Sequence, residues 1–238
     1  MKAMILAAGL GTRLKPWTDH HPKALAVVNG KSLLQRNIEY LQHYGIQEVI
    51  VNVHHFAEQI TDAINKSNGW GSSITISDEA NEVLETGGGL KKAAGYFDGE
   101  ADFVLMNVDI LTDLDISVMI NRHKAAGSIA TLAVTERKTS RYFLFNGRNE
   151  LCGWRNVNTG DEKIVKDVRP LFQKAFSGIH VINTSLLQSV TREGKFSMVD
   201  VYLDLAKDHF IQGFDHSETK FIDVGKPESI ARAEEMFE

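Results

Sequence analysis

Short apolar runs alternate with amphipathic helical stretches through most of this chain, and that rhythm limits its fold more than any other feature. Residues 2–7 read as a buried strand. Residues 32–44 read as a helix: Ser32 can cap it, Leu34, Ile38 and Leu41 share one face, and Gly45 can end it. Strand-like runs follow at 48–53, 74–77, 103–108 and 129–135. Helical stretches separate them at 57–64, at 90–94 after three glycines, and at 115–126 before Gly127. Such alternation implies a mostly parallel sheet with helices on both faces.

Beyond residue 135 the pattern becomes β-rich. Residues 142–145 and 150–154 flank Asn146-Gly147, a hairpin-turn dipeptide in a loop longer than two residues. Residues 176–182 are strand-like, 184–190 and 199–207 helical, and 221–223 a short strand. Residues 227–237 read as a closing helix with Pro227 in its first turn. With no internal repeat, low-complexity tract or Pro/Ser-rich linker, one α/β domain with an inserted β-rich portion is expected. Its 238 residues, 43% hydrophobic and 24% charged, suffice for a core.

The single cysteine, Cys152, excludes an internal disulfide and a multi-cysteine metal site, and it suits a reducing cytoplasm. No run approaches the roughly 18 apolar residues of a membrane span. The N-terminal apolar run stops at Gly9, too soon for a signal peptide. A net charge of -5 lacks the overall basic footprint of a nucleic-acid binder, while leaving room for a local phosphate site. Adjacent histidines at His20-His21 and His54-His55 do not share a helix or strand face, so neither pair has metal-ligand spacing.

The most informative segment follows the first strand: L-A-A-G-L-G-T-R-L, residues 6–14. In a parallel sheet, ligands gather beyond the carboxyl ends of strands. Gly9 and Gly11 let backbone N–H groups approach phosphate oxygens, and Arg13 offers a planar, permanently charged fork. Two common phosphate loops are excluded. A dinucleotide fingerprint needs glycine where Leu14 stands, and a helix where Pro16 and Pro22 bracket an extended loop. The Walker A spacing is absent. An isolated G-x-G is most often only a turn. Lys23, after Pro22 at the far end of the same loop, adds a second cation, and the combination points to an anion.

Residues 6–23, L-A-A-G-L-G-T-R-L-K-P-W-T-D-H-H-P-K, resemble the signature of the sugar-1-phosphate nucleotidyltransferases. The likeness continues in E-T-G-G-G at 85–89, N-V-D at 107–109, F-S-G-I-H-V at 176–181 and F-I-D-V-G-K-P-E at 221–228. Length and the E-T-G-G-G form most resemble compact members of the N-acetylmuramate-1-phosphate uridylyltransferase kind, and heptose-1-phosphate guanylyltransferases are also similar. The left-handed β-helix domain of some relatives is expected to be lacking. The resemblance implies the nucleotide-diphospho-sugar transferase fold, a Rossmann-like three-layer α/β/α arrangement with a mostly parallel mixed sheet. It implies a single domain over 1–238, with 1–135 mainly binding nucleotide and 136–238 mainly binding sugar phosphate. The implied reaction condenses a nucleoside triphosphate with a sugar 1-phosphate, using Mg²⁺, and releases pyrophosphate. UTP is favoured over GTP.

Asp109 and Asp223 each follow an apolar run, so their carboxylates should emerge at the carboxyl edge of the sheet. Either alone reads as a cap or loop acid. Together with the glycine loop, and placed as in the family, they suit a hard cation with oxygen ligands. Asp113 and Asp115 are nearby competitors, and Asp115 reads as a helix cap. The resemblance assigns Arg13 to the triphosphate and Lys23 to the α-phosphate and incoming phosphate, both catalytic. It sets Leu6, Ala8, Gly9, Gly11 and Thr12 against the nucleotide, and Gly87 and Gly88 along its base. For those two glycines a helix start without a ligand fits equally well. On the sugar-phosphate side stand Lys23, Tyr142, Arg155 and Gly178. Arg155 departs from the family's Glu-Lys pattern, so a phosphate ligand and a surface arginine both stay open. Tyr142 and Trp154 read as pocket walls or core aromatics.

Two rival readings share these motifs: cytidylyl-type transfer to phosphocholine or another phospho-alcohol, and a non-catalytic nucleotide-sugar sensor. No nucleic-acid or membrane partner is expected, and the oligomeric state is open.

Overall fold

The computed structural model describes residues 1–79 and 82–237. Its first strand, β1 (Ala3–Leu6), is buried throughout. Successive strand side chains point to opposite faces, so Ala3 and Ile5 enter one core while Met4 and Leu6 enter another. Such a strand belongs at the centre of a sheet. It pairs in parallel with β4 (Glu48–Val53) on one edge and β6 (Asp102–Asn107) on the other. β5 (Ser73–Asp78) extends the parallel half beyond β4.

On the far side of β6 the pairing turns antiparallel. The long β12 (Phe172–Asn183) runs against β6, and both β8 (Ala130–Thr135) and β9 (Arg141–Phe145) run against β12. β10 (Leu151–Asn156) and β11 (Glu162–Ile164) continue from β9, and β13 (Ile211–Asp215) lies parallel to β8. The result is a ten-stranded mixed sheet. Two small ladders stand outside it: β2 (Val27–Val28) with β3 (Lys31–Ser32), and β7 (Ile110–Thr112) with β14 (Phe221–Asp223).

Helices cover both faces, as expected. α1 (Leu33–His43), α2 (Ala57–Lys66) and α4 (Ile116–Ala126) bury Leu34, Ile38, Leu41, Ile60 and Met119 with Ala3 and Ile5. α3 (Glu85–Lys92), α5 (Ser185–Ser189) and α6 (Met198–Leu205) bury Leu90, Leu186, Val201 and Tyr202 with Met4 and Leu6. The expected caps are present: Ser32 Oγ accepts from Gln35 N at 3.1 Å, and Asp115 Oδ1 accepts from Ser117 N at 2.9 Å. α7 (Pro227–Met236) closes the chain. A third cluster joins its Ala233 to Ile222, Val224, Leu111 and Leu14, so the last segment packs against the first loop.

Three features differ from expectation. The loop between Pro16 and Pro22, expected to be extended, is held by 3-10 turns at Thr12–Leu14, Trp17–Asp19 and Lys23–Leu25. α3 begins at Glu85 and contains the three glycines that were expected to precede it. β2, β3, β7, β11 and β13 were not anticipated. These are either two or three residues long or, in β13, interrupted by Gly213, so none carries a clear alternation.

Candidate active site

The parallel β1 and β6 end side by side, and the loops leaving them border one cleft of about 410 Å³. Leu6, Ala8, Gly9, Gly11, Thr12 and Arg13 line it from the first loop. Gly11 adopts a left-handed φ of +61°, and a Cβ there would lie 3.0 Å from both Lys23 Cβ and Thr18 Cγ2. Thr18 Oγ1 donates to Gly11 O at 3.0 Å. The loop is thereby folded onto itself, which carries Lys23 to the cleft. Lys23 is buried, and its Nζ donates to Asp109 Oδ2.

Asp109 is fixed through its backbone. Val108 N donates to Leu6 O at 3.2 Å, Asn37 Nδ2 donates to Val108 O at 2.8 Å, and Val224 N donates to Asp109 O at 2.8 Å. The last bond ties the strand end to the closing segment. Antiparallel pairing of β14 with β7 sets Asp223 opposite Ile110, beside Asp109. Asp223 Oδ2 lies 3.8 Å from Arg13 Nη2, while its Oδ1 is buried with no hydrogen-bond partner among the described residues. Burial pushes the Asp223 carboxyl above its ordinary pKa. The Asp109 charge adds to that rise, and Lys23, Arg13 and Arg137 oppose it.

Two carboxylates close enough to repel, each with a cation beside it, and an Asp223 oxygen without a partner among the described residues fit a hard cation that takes oxygen ligands. Among the described residues, no group of three or more His, Cys, Asp or Glu side chains could hold a metal alone. Two protein carboxylates suit an ion that completes its shell with water and substrate phosphate.

The opposite wall comes from residues to which sequence reasoning gave no role, although Glu85 and Thr86 open the E-T-G-G-G motif. Val83, Glu85, Thr86 and Ser197 line it. Asn52 joins the two walls: its Oδ1 accepts from Ala7 N at 2.7 Å, and its Nδ2 donates to Glu79 Oε1 at 2.7 Å. Glu79 Oε2 accepts in turn from Leu84 N at 3.2 Å. A signal for Asn52 was available, because it is the one polar residue among the buried positions of β4.

Gly87 and Gly88 require a correction. Neither lines the cleft, and both backbone N–H groups donate to Phe196 O, at 2.9 and 3.2 Å. A Cβ on Gly87 would lie 2.5 Å from the Phe196 ring, and one on Gly88 would lie 2.3 Å from Gly194 O. These glycines let α3 pack against residues 194–196, and Glu85 and Thr86 face the cleft instead.

The expected sugar-phosphate residues scatter. Gly178 sits at the irregularity of β12, and a Cβ there would lie 2.7 Å from Nδ2 of Asn107, a cleft residue. Tyr142 is buried, and its hydroxyl accepts from Thr139 N at 2.9 Å. Arg155 donates through Nε to Glu162 across β10 and β11. Neither Tyr142 nor Arg155 lines the cleft. Cys152 is buried, and burial pushes its thiol pKa up, away from nucleophile behaviour.

The cleft is lined by a glycine loop, two cations and Asp109, and Asp223 borders it from the neighbouring hollow, 3.8 Å from Arg13; together they describe a seat for a polyphosphate. Residues 2–238 match the nucleotidyl transferase family. The chain belongs to that family. It is 30% identical to the N-acetylmuramate alpha-1-phosphate uridylyltransferase of Caulobacter vibrioides, over 98% of this chain and 95% of the relative. It is 28% identical to a mannose-1-phosphate guanyltransferase of Schizosaccharomyces pombe, over 95% of this chain but 61% of that longer relative. Among solved structures, HddC from Yersinia pseudotuberculosis complexed with GMP-PN superposes with a TM-score of 0.79 at 26% identity, covering 100% of this chain and 99% of that one. The kinship expected from the motifs, with the sugar-1-phosphate nucleotidyltransferases and their compact uridylyltransferase-like members, is borne out. This member of the family is an enzyme of that class.

Proposed function

We propose that the enzyme transfers a nucleotidyl group from UTP to a sugar 1-phosphate, with Mg²⁺ held by Asp109 and Asp223. The observation that carries the reading is the pairing at the cleft mouth, with Lys23 on Asp109 and Arg13 beside Asp223. Bound there, Mg²⁺ would supply positive charge to the phosphate oxygens and hold them in place. The acceptor phosphate is already ionised, so the side chains need not move a proton. Their task is to bring two anions together and to stabilise charge on the five-coordinate α-phosphorus. Backbone N–H groups near Gly9 and Gly11 receive the triphosphate. Arg13 stabilises the departing pyrophosphate, and Lys23 faces the α-phosphate. Similarity to a uridylyltransferase over nearly its whole length supports UTP, and the GMP-PN complex of HddC makes GTP the competing donor. Residues 1–135 form the nucleotide side and the remainder the acceptor side. The single buried thiol suits a cytoplasmic setting.

The test is pyrophosphate release across a matrix of nucleoside triphosphates and sugar 1-phosphates, with phosphocholine included, in Mg²⁺. Turnover is expected with UTP and one sugar 1-phosphate. A signal only with phosphocholine would reassign the acceptor, and triphosphate binding without turnover anywhere would favour a sensor. Asp109→Asn and Asp223→Asn are each expected to abolish Mg²⁺-dependent turnover without loss of the melting transition, whereas near-normal rates in both would refute the metal assignment.

A further inference from the structure

We infer that Arg137 binds the phosphate of the acceptor, an assignment that rests on the proposed sugar-1-phosphate transfer. Arg137 lies just past the end of β8, on the segment that leads into β9. One guanidinium nitrogen, Nη2, donates to Phe176 O at 2.8 Å. The guanidinium carbon sits 5.2 Å from the centroid of the Phe221 ring, two residues before Asp223. Nε is buried without a hydrogen-bond partner among the described residues, and the Asp223 carboxylate acts on the side chain by its charge. Such a donor is costly to leave unmet, and a guanidinium fork matches a phosphate.

Location selects the acceptor over the donor. Arg13, from the glycine loop, is assigned to the triphosphate, and Lys23, which lines the same cleft, to the α-phosphate and the incoming phosphate. Arg137 arrives from the other half of the sheet and opens with Asp223 into a neighbouring hollow of about 580 Å³ that also holds Lys138, Lys220 and Arg232. Asp223 lies 3.8 Å from Arg13 and lines the same hollow as Arg137. In-line displacement needs the attacking oxygen on the side of the α-phosphorus away from the departing pyrophosphate. There an acceptor oxygen forms the new P–O bond while the bond to the bridging oxygen breaks, and its electron pair leaves with pyrophosphate. Arg137 donates to the non-attacking oxygens and neither gains nor loses a proton. Arg155, which the sequence left open as a phosphate ligand or a surface arginine, is turned to Glu162. Tyr142, whose hydroxyl holds Thr139 N, braces the segment that carries Arg137.

Steady-state kinetics of Arg137→Ala and Arg137→Lys, with each substrate varied separately, test the assignment. The alanine variant is expected to raise KM for the sugar 1-phosphate at least ~10-fold and to leave KM for the triphosphate within about twofold. Lysine should restore part of the loss by returning charge without the fork. Should the alanine variant not fold, Arg137→Gln, which retains a donor for Phe176 O, carries the same expectation. A folded variant with unchanged KM for the sugar phosphate, or with both KM values raised equally, would reduce Arg137 to a brace for β12. An inactive wild-type enzyme across the whole substrate matrix would instead defeat the transferase reading itself, and this inference with it.

Discussion

At the residue scale, the candidate site centres on two cation–carboxylate pairs. Lys23 and Asp109 are far apart in sequence, yet the loop packs Gly11 so closely on Lys23 that a Cβ there would lie 3.0 Å from Lys23 Cβ, and the lysine Nζ reaches Asp109. Replacing Lys23 by alanine is expected to lower kcat ~10²-fold or more, as for loss of a donor aimed at developing charge. Unchanged kcat in a folded Lys23→Ala enzyme would remove the lysine from the chemistry. Arg13 is more exposed and more distant from its carboxylate, at 3.8 Å, which suits the role proposed for it at the leaving pyrophosphate. Arg13→Ala should lower kcat by a similar factor without shifting the melting temperature, since exposed ion pairs contribute little to stability. The identities of these residues were legible because each stands at a strand end or in a glycine loop. Their partners were not, since no local pattern in the sequence encodes which cation meets which carboxylate.

At the element scale, α3 shows how a motif can be seen and misread. Three consecutive glycines disfavour a helix, so a helix starting after them is the local expectation. The structure runs the helix through them because α3 must approach residues 194–196 closely, and only glycine leaves space for Gly194 O and the Phe196 ring. Gly88→Ala is therefore expected to destabilise the fold by ~1–3 kcal/mol, the cost of overpacking, despite alanine's better helix propensity. Urea unfolding measures it, and a stabilised variant would contradict the packing account. By contrast α1 is fully local: Ser32 caps it and its apolar stripe faces the sheet, so Ser32→Ala should cost about 1 kcal/mol in the same measurement.

At the scale of the whole molecule, the sheet buries polar groups whose titration couples to folding. His180 on β12 is fully buried against Tyr202, and burial lowers its pKa to about 3. His216, bonded to Ser177 and Thr219, is lowered to about 4, chiefly by burial. In the unfolded chain both take a proton near pH 6.5. Between that pH and the folded-state values the unfolded chain binds more protons, so stability should fall as pH drops from about 6.5 towards 4. Each histidine contributes a slope of up to about 1.4 kcal/mol per pH unit. Unfolding followed from pH 7 to 4.5 should show this slope, and His216→Asn should flatten it. An equally steep decline in the variant would move the cause to other groups.

The sequence alone determined the α/β class, most strands and helices of the parallel half, the family, and the catalytic candidates of the first loop and the two strand ends. Those features are written in short windows: burial on both faces of β1, the stripe and cap of α1, the glycines before Arg13, the aspartates after apolar runs. Tertiary structure decided what depends on distance in space. It folded β7 against β14 and so set Asp223 beside Asp109. It turned Arg155 to Glu162 and left Arg137 with a donor unmet among the described residues, in the hollow that Asp223 also lines. It also spent the N–H groups of Gly87 and Gly88 on Phe196. Each outcome rests on which surfaces meet once the sheet has closed, and periodicity, which reports only the face a residue occupies, carries no record of its neighbour.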